Sequence, residues 1–395
     1  MADKDDEVFE IQRSNRRVGD PAAAHDPMRK PPEAAAPRKP RPALSSAEDF
    51  EIVDGQLGRI TAEVPVIARP SMEPPAKAVA AAVAPAAPPP LSPGEGPRVG
   101  NYQLAGRIRS SPQSMVFLAH RVSDFGIARP VVLKIAPRNN ANYDKTRERL
   151  VDEYRAMAML DHPNICAVVE AADIEIGFYV ALEYVDGPDT RRLLDKLAKA
   201  QRKLPIEVAV NIVVELLRGL EHAHTASGAD DQPLGIVHRN VNPSNVLLSR
   251  YGQVKLSDFG VVKMRGRAAA DTEPGLIKGN FAYLPPEYIR GEHLDHRIDL
   301  YAAGVLLFEL VTGGRCFRAE GTDLFKDVLA GLDVSRLADA NVPDQLTTII
   351  ARAANKDASQ RYRTATEMGF ALEDWLSTNR YYVSPSSIAA VLRTL

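Results

Sequence analysis

The sequence predicts an α+β fold in two unequal halves, strand-rich and then helical, behind a long arm that lacks a core. Three observations carry this. Seventeen of the 30 prolines precede residue 99, and 13 are spread over the remaining 297 residues. Between residues 102 and 184, short β-branched and aromatic runs alternate with turn residues. From Pro205 onward, apolar residues recur at spacings of three and four, with no repeat unit.

Residues 1–98 hold alanine runs and only two aromatics, Phe9 and Phe50. Such a segment buries too little surface to offset its ordering entropy, so a disordered Pro/Ala-rich arm is expected. Within it, VFEIQR and DFEIVDG share a Phe-Glu-Ile core. They read either as docking peptides that add to a sheet edge or fill a groove, or as coincidence in a polar tail.

Strands are then expected at Tyr102 to Ile108, Met115 to His120 and Pro130 to Ile135, the first two flanking the turn-rich RSSPQS. Leu150, Tyr154, Met157 and Leu160 share one stripe, which predicts a helix over Tyr143 to Leu160. Strands at Cys166 to Glu170 and Phe178 to Tyr184 complete the first half. Val210, Val213, Val214, Leu217 and Leu220 mark a long helix from Ile206 to His224. At the end of the chain Ile388, Val391, Leu392 and Leu395 stand at helical spacing, in an extension (376–395) that docks either back on the large lobe, the favoured reading, or onto a partner.

A net charge of −2 offers no electrostatic footprint for wrapping nucleic acid or anionic lipid. Two cysteines, Cys166 and Cys316, cannot build a disulfide framework or a zinc site alone. The acidic start MADKDDEVFE lacks the pattern of a signal peptide, and no run reaches 18 apolar residues. The expectation is a soluble cytoplasmic protein with protein partners, and neither nucleic acid nor membrane.

Motifs follow in a definite order. VVLK ends at Lys134, Glu153 lies on the next helix, and DHPNI (161–165) follows it. ALEYVDG (181–187), VHRNVNPSNVLL (237–248), SDFG (257–260), YLPPE (283–287), DHRIDLYAAGVLLFELVTG (295–313) and DASQRY with Arg361 complete the set. Together these resemble the protein kinase superfamily, most closely the bacterial Ser/Thr (Hanks-type) kinases, over about residues 99–375.

The resemblance implies a bilobal protein kinase fold, with a β-rich N-lobe (99–185) and a helical C-lobe (186–375). It also implies that Lys134 grips the α- and β-phosphates of ATP and that Glu153 pairs with it. Val116, Leu182 as gatekeeper, and the Glu183 to Val185 backbone would surround adenine. Asp258 and Asn245 would hold Mg²⁺, for which a carboxylate and an amide oxygen are suitable hard ligands. Asp299 would brace the catalytic loop, and Arg361 would pair with Glu287.

Three departures stand against these matches. Asn240 occupies the position of the aspartate that accepts the substrate proton, and an amide has no basic oxygen near neutral pH. That removes a contribution of about 10²–10⁴-fold, unless positioning alone carries the chemistry. Asn242 replaces a lysine that neutralises the transferring phosphoryl group. The three loop glycines fall on Arg109, Ser111 and Ser114, and Pro112 removes one N–H donor outright. Arg109 either offers its guanidinium to phosphate or is an exposed arginine at a turn.

The retained positions handle Mg-nucleotide, and the lost ones activate the acceptor and cover the phosphates. The expected function is a signalling pseudokinase, a scaffold or allosteric partner of active kinases or their substrates, with ATP and Mg as weak ligands. The alternatives are an atypical, slow Ser/Thr kinase and a nucleotide sensor without turnover. Thr272, in DTEPG, is the natural phosphoacceptor of the activation segment, with Arg239 as its reader.

Overall fold

The computed structural model describes residues 50–53, 56–59, 97–111, 114–123, 125, 127–259 and 281–395. The chain divides into two units, Met1–Val66 and Ile67–Leu395. The first contains an antiparallel hairpin of β1 (Phe50–Val53) and β2 (Gln56–Arg59), with Val53 opposite Gln56. It covers one of the two Phe-Glu-Ile pieces, for which the sequence reading assigned no secondary structure. Asp54 and Gly55, which connect the two strands, lie outside the described residues.

The second unit begins with an antiparallel six-stranded sheet in the order β3-β4-β5-β6-β8-β7. Its strands are β3 (Arg98–Val99), β4 (Tyr102–Ser110), β5 (Met115–Val122), β6 (Ala128–Pro137), β7 (Val168–Ile174) and β8 (Gly177–Glu183). Alternation on β6 sorts the two faces. Val131, Leu133 and Ile135 join Tyr102, Ala119, Tyr179 and Ala181 in a small core on one side. Val132, Lys134 and Ala136 face the other side, against which α1 (Tyr143–Met157) packs.

Helix α1 ends three residues earlier than its apolar stripe suggested, because the chain turns at Ala158 to Leu160 to enter the following loop. Cys166 likewise precedes its expected strand. Ile165 forms a parallel bridge with Leu256, and the Cys166 N–H donates to the Leu256 carbonyl at 2.9 Å, so this stretch is tied to the helical lobe.

The remaining elements are α2 (Thr190–Lys199), α3 (Ile206–Thr225), a small hairpin of β9 (Val246–Leu248) and β10 (Val254–Leu256), α4 (Pro286–Ile289), α5 (Arg297–Thr312), α6 (Thr322–Ala330), α7 (Ser335–Asp339), α8 (Asp344–Ala353), α9 (Ala365–Thr378) and α10 (Pro385–Arg393). Every residue of α5 from Ile298 to Val311 is buried, so this helix is the pillar of the lobe. A helix apolar all round must sit inside the body. It stops at Gly313, whose left-handed φ of 72° is one that glycine adopts without strain.

Helix α10 docks back as expected. Ile388 is buried in the main core, Ala389 is buried beside it, and Arg202 donates to the Thr394 carbonyl at 3.0 Å. No helix among the described residues is long and apolar enough to cross a membrane.

Candidate functional site

The site grows from the α1-facing side of the sheet. Cross-strand pairing sets Arg109 opposite Val116, and Val116 opposite Lys134. Paired residues project to the same face, so Arg109, Val116 and Lys134 form one row over the cleft. Leu118, Val132 and Leu182 form the next row.

Leu150, Ala156 and Met157 anchor α1 in the core and thereby hold Glu153 beside the sheet. The Lys134 ammonium donates to both Glu153 oxygens, at 2.9 and 2.8 Å, and to Asp258 Oδ1 at 3.2 Å. Burial opposes the lysine's charge, but the Asp258 and Glu153 carboxylates outweigh it and hold its pKa above the usual lysine value. The Lys134 charge holds the Asp258 carboxyl below its ordinary value, with Arg109 contributing in the same direction. For Glu153 burial prevails over Lys134, and its pKa rises. One cation thus serves two carboxylates, with Asp258 the better stabilised anion.

Asp258 has a left-handed backbone, φ 56°, and Phe259 beside it packs on the His238 ring at 4.4 Å. His238 is neutral in this arrangement. Its Nδ1 accepts from the Asn240 N–H at 3.2 Å, leaving Nε2–H to donate to the Ser257 carbonyl at 3.1 Å. Burial also lowers its pKa. Asp299, on α5, accepts from His238 N (2.9 Å), Arg239 N (2.8 Å) and His224 Nε2 (2.8 Å). These bonds hold the loop through Arg239, whose φ of 60° is costly for a residue other than glycine.

Beyond that point the loop is closed by asparagines. Asn242 Nδ2 donates to the Asn240 backbone carbonyl (2.8 Å) and to Asn240 Oδ1 (3.0 Å), while Asn242 Oδ1 accepts from Ser244 N (2.9 Å). Asn245 Nδ2 donates to the same Asn240 carbonyl at 2.9 Å, which leaves its Oδ1 as the ligand-capable branch. With Asp258 it supplies two oxygen donors of the type that suits Mg²⁺.

At the turn that stands where the glycine loop is expected, the described backbone donors are already engaged. Ser111 N bonds the Ser114 carbonyl at 2.9 Å, and Ser114 N bonds Ser111 Oγ at 3.0 Å. Neither N–H is left for a phosphate. Arg109 is exposed on the cleft row, and its charge lowers the pKa of Asp258 and opposes the rise at Asp189.

Sequence reasoning missed Asp189, which caps α2 by accepting from Arg192 N at 2.8 Å and faces the field of Arg109. Its signal was a capping aspartate before a helical run. Also missed was a triad in which Tyr283 donates to the buried Glu309 (2.5 Å) and the half-buried Arg191 donates to Tyr283 (2.9 Å).

Of the expected hinge residues, Leu182 and Val185 are buried. Glu183 spends its side chain on Lys255 (2.8 Å) and Ala167 N (3.0 Å). Arg361 pairs bidentately with Glu287 at 2.6 and 2.7 Å, as expected. The guanidinium Nε of Arg239 is buried with no partner among the described residues. Thr272 and Pro112 lie outside the described residues.

A family profile described as the protein kinase domain matches residues 114–370. The chain is 34% identical over 280 residues to the tyrosine-protein kinase MasK of Myxococcus xanthus, covering 70% of this chain and 43% of that one. It is 30% identical over 271 residues to the serine/threonine-protein kinase PrkC of Bacillus subtilis (68% and 39%). With PknL of Mycobacterium tuberculosis, a serine/threonine-protein kinase, it shares 33% over 274 residues (69% and 65%). The chain thus spans about two fifths of the length of the first two. The solved kinase domain of Mycobacterium tuberculosis PknI superposes with a TM-score of 0.52 at 22% identity, covering 72% of this chain and 99% of that one. At that identity the likeness concerns the fold alone.

Proposed function

This chain belongs to the protein kinase domain family, and from that premise we propose that it is a catalytically impaired Ser/Thr pseudokinase. It acts as a scaffold or allosteric partner for other proteins and holds Mg-ATP weakly. One observation carries the reading: the Lys134–Glu153–Asp258 cluster is assembled at hydrogen-bond distance, whereas an amide, Asn240, stands where a base is needed.

In this reading Lys134 and the exposed Arg109 meet the nucleotide phosphates, and Asp258 and Asn245 hold Mg²⁺. The bound metal ion would neutralise charge on the phosphate oxygens. Val116, Leu182 and the hinge backbone to Val185 frame the base. The Ser111–Ser114 clasp withdraws two backbone N–H donors from the phosphates, which accounts for weak affinity. Arg239, whose buried guanidinium Nε has no partner among the described residues, is the reader of a phosphorylated Thr272.

The test is transfer of labelled γ-phosphate by purified protein, to itself and to a basic substrate, with Asp258→Ala beside it. No label from either variant supports the proposal. Label from the wild type alone would make the protein a slow kinase working by positioning, a second reading that the intact lysine–carboxylate cluster favours.

A further inference from the structure

Three hydrogen bonds determine which way the Asn240 amide faces, without appeal to any hydrogen position. The Ser244 backbone N–H can only donate, so the Asn242 atom 2.9 Å from it is the carbonyl oxygen. The other branch of Asn242 is therefore the NH₂. It lies 2.8 Å from the Asn240 backbone carbonyl, which can only accept, so both ends of the assignment agree. That same NH₂ sits 3.0 Å from the Asn240 side chain, and an NH₂ has no acceptor capacity. The Asn240 atom there is Oδ1.

The Asn240 NH₂ is what remains, and it has no partner among the described residues. Asn242 is fully buried, so water does not compete for this lock, whereas Asn240 is only half-buried.

We propose that Asn242 is a positioning residue that turns the Asn240 NH₂ toward the acceptor position of the cleft. That position then binds an oxyanion, a carboxylate or a phosphate group, in place of a hydroxyl that must lose its proton. The inference rests on the kinase-fold reading above and deepens it. A donor aimed at a hydroxyl takes up one of its two lone pairs and cannot accept its proton, so the site does more than lack a base: it presents the wrong polarity for one. An oxyanion has several lone pairs and gains a charge-assisted bond from the same group.

The full-length chain, labelled with ¹⁵N at asparagine side chains, tests this. Asn240→Asp identifies the Asn240 NH₂ signal by its loss. Sodium acetate and inorganic phosphate are titrated separately against matched sodium chloride. In the wild type the Asn240 signal exchanges readily with water and moves with an oxyanion, while the Asn242 NH₂ is protected. Movement with phosphate alone assigns the position to phosphate groups, with acetate alone to carboxylates, and with both to either.

Asn242→Ser keeps a hydroxyl for the Ser244 N–H but loses the bridge, and Asn242→Ala loses both. In each, apparent oxyanion affinity at Asn240 falls about tenfold, the equivalent of one oriented bond. A protected Asn240 NH₂ in the free protein, no movement with either anion, or an undiminished response in Asn242→Ser would overturn the proposal. Labelled phosphate transfer by the wild type would sink the pseudokinase reading and leave these spectra unchanged, so the two failures are distinguishable.

Discussion

Asp299→Asn changes one atom at the base of the catalytic loop. The carboxylate is 1% exposed and accepts three bonds of 2.8–2.9 Å, two from consecutive backbone N–H groups. An asparagine keeps one oxygen. Placed at Oδ2, it retains His238 N and His224 but turns its NH₂ against the Arg239 N–H. Placed at Oδ1, it retains Arg239 N and loses the other two. The milder case still forfeits one charge-assisted bond, about 1.5–3 kcal/mol, and strands a buried N–H at roughly 1–3 kcal/mol more. The sum is about 2.5–6 kcal/mol, a large share of the 5–15 kcal/mol typical of a folded domain.

The assay is urea unfolding followed by Trp375, the single tryptophan, which is buried in the same lobe. Asp323→Asn, whose partner Lys326 is exposed, serves as the control and should cost under about 1 kcal/mol. A loss below about 1 kcal/mol in Asp299→Asn would show that the three bonds do not support the loop, and the bracing argument would fall.

Lys134→Met removes the cation shared by Glu153 and Asp258, and should abolish or weaken at least tenfold any thermal stabilisation by Mg-ATP; an unchanged melting shift would place the nucleotide elsewhere. His238 has a pKa lowered by burial, so between that value and about 6.5 the unfolded chain binds a proton that the folded chain refuses. Stability from this group is complete above that window and falls as pH drops through it; melting temperatures at pH 7.5 and 5.5 that do not differ would contradict this. Ile388→Ala hollows the contact of α10 with the lobe and should cost about 2–5 kcal/mol in urea unfolding. A negligible change would mean the extension is only loosely attached.

Most strands of the sheet and the helices α1, α3 and α10 were legible because a buried face imposes periods of two and near four on the sequence, whereas α5, buried all round, was legible only as one of the ordered motifs. Boundaries shifted where tertiary bonds took over, as at Cys166, whose N–H is claimed by Leu256 of the other lobe. Lys134, Glu153, Asn245 and Asp258 were legible as residue types in a fixed order, and the structure brings Lys134, Glu153 and Asp258 into direct contact. The Asn240–Asn242 bridge was not legible. Two asparagines two apart in a loop give no indication of which atoms meet until the backbone has turned. The Ser111–Ser114 clasp was hidden for a similar reason, since the sequence records missing glycines but not the fate of the donors left behind.

That clasp has a kinetic corollary. On the proposed reading, a nucleotide held from beneath, with the Ser111 and Ser114 N–H groups bonded to each other's residues and not to its phosphates, leaves without waiting for those bonds to break. Its occupancy would follow the surrounding ATP concentration from moment to moment and keep no memory of past levels. A partner reading this cleft would be reading a gauge and not a latch.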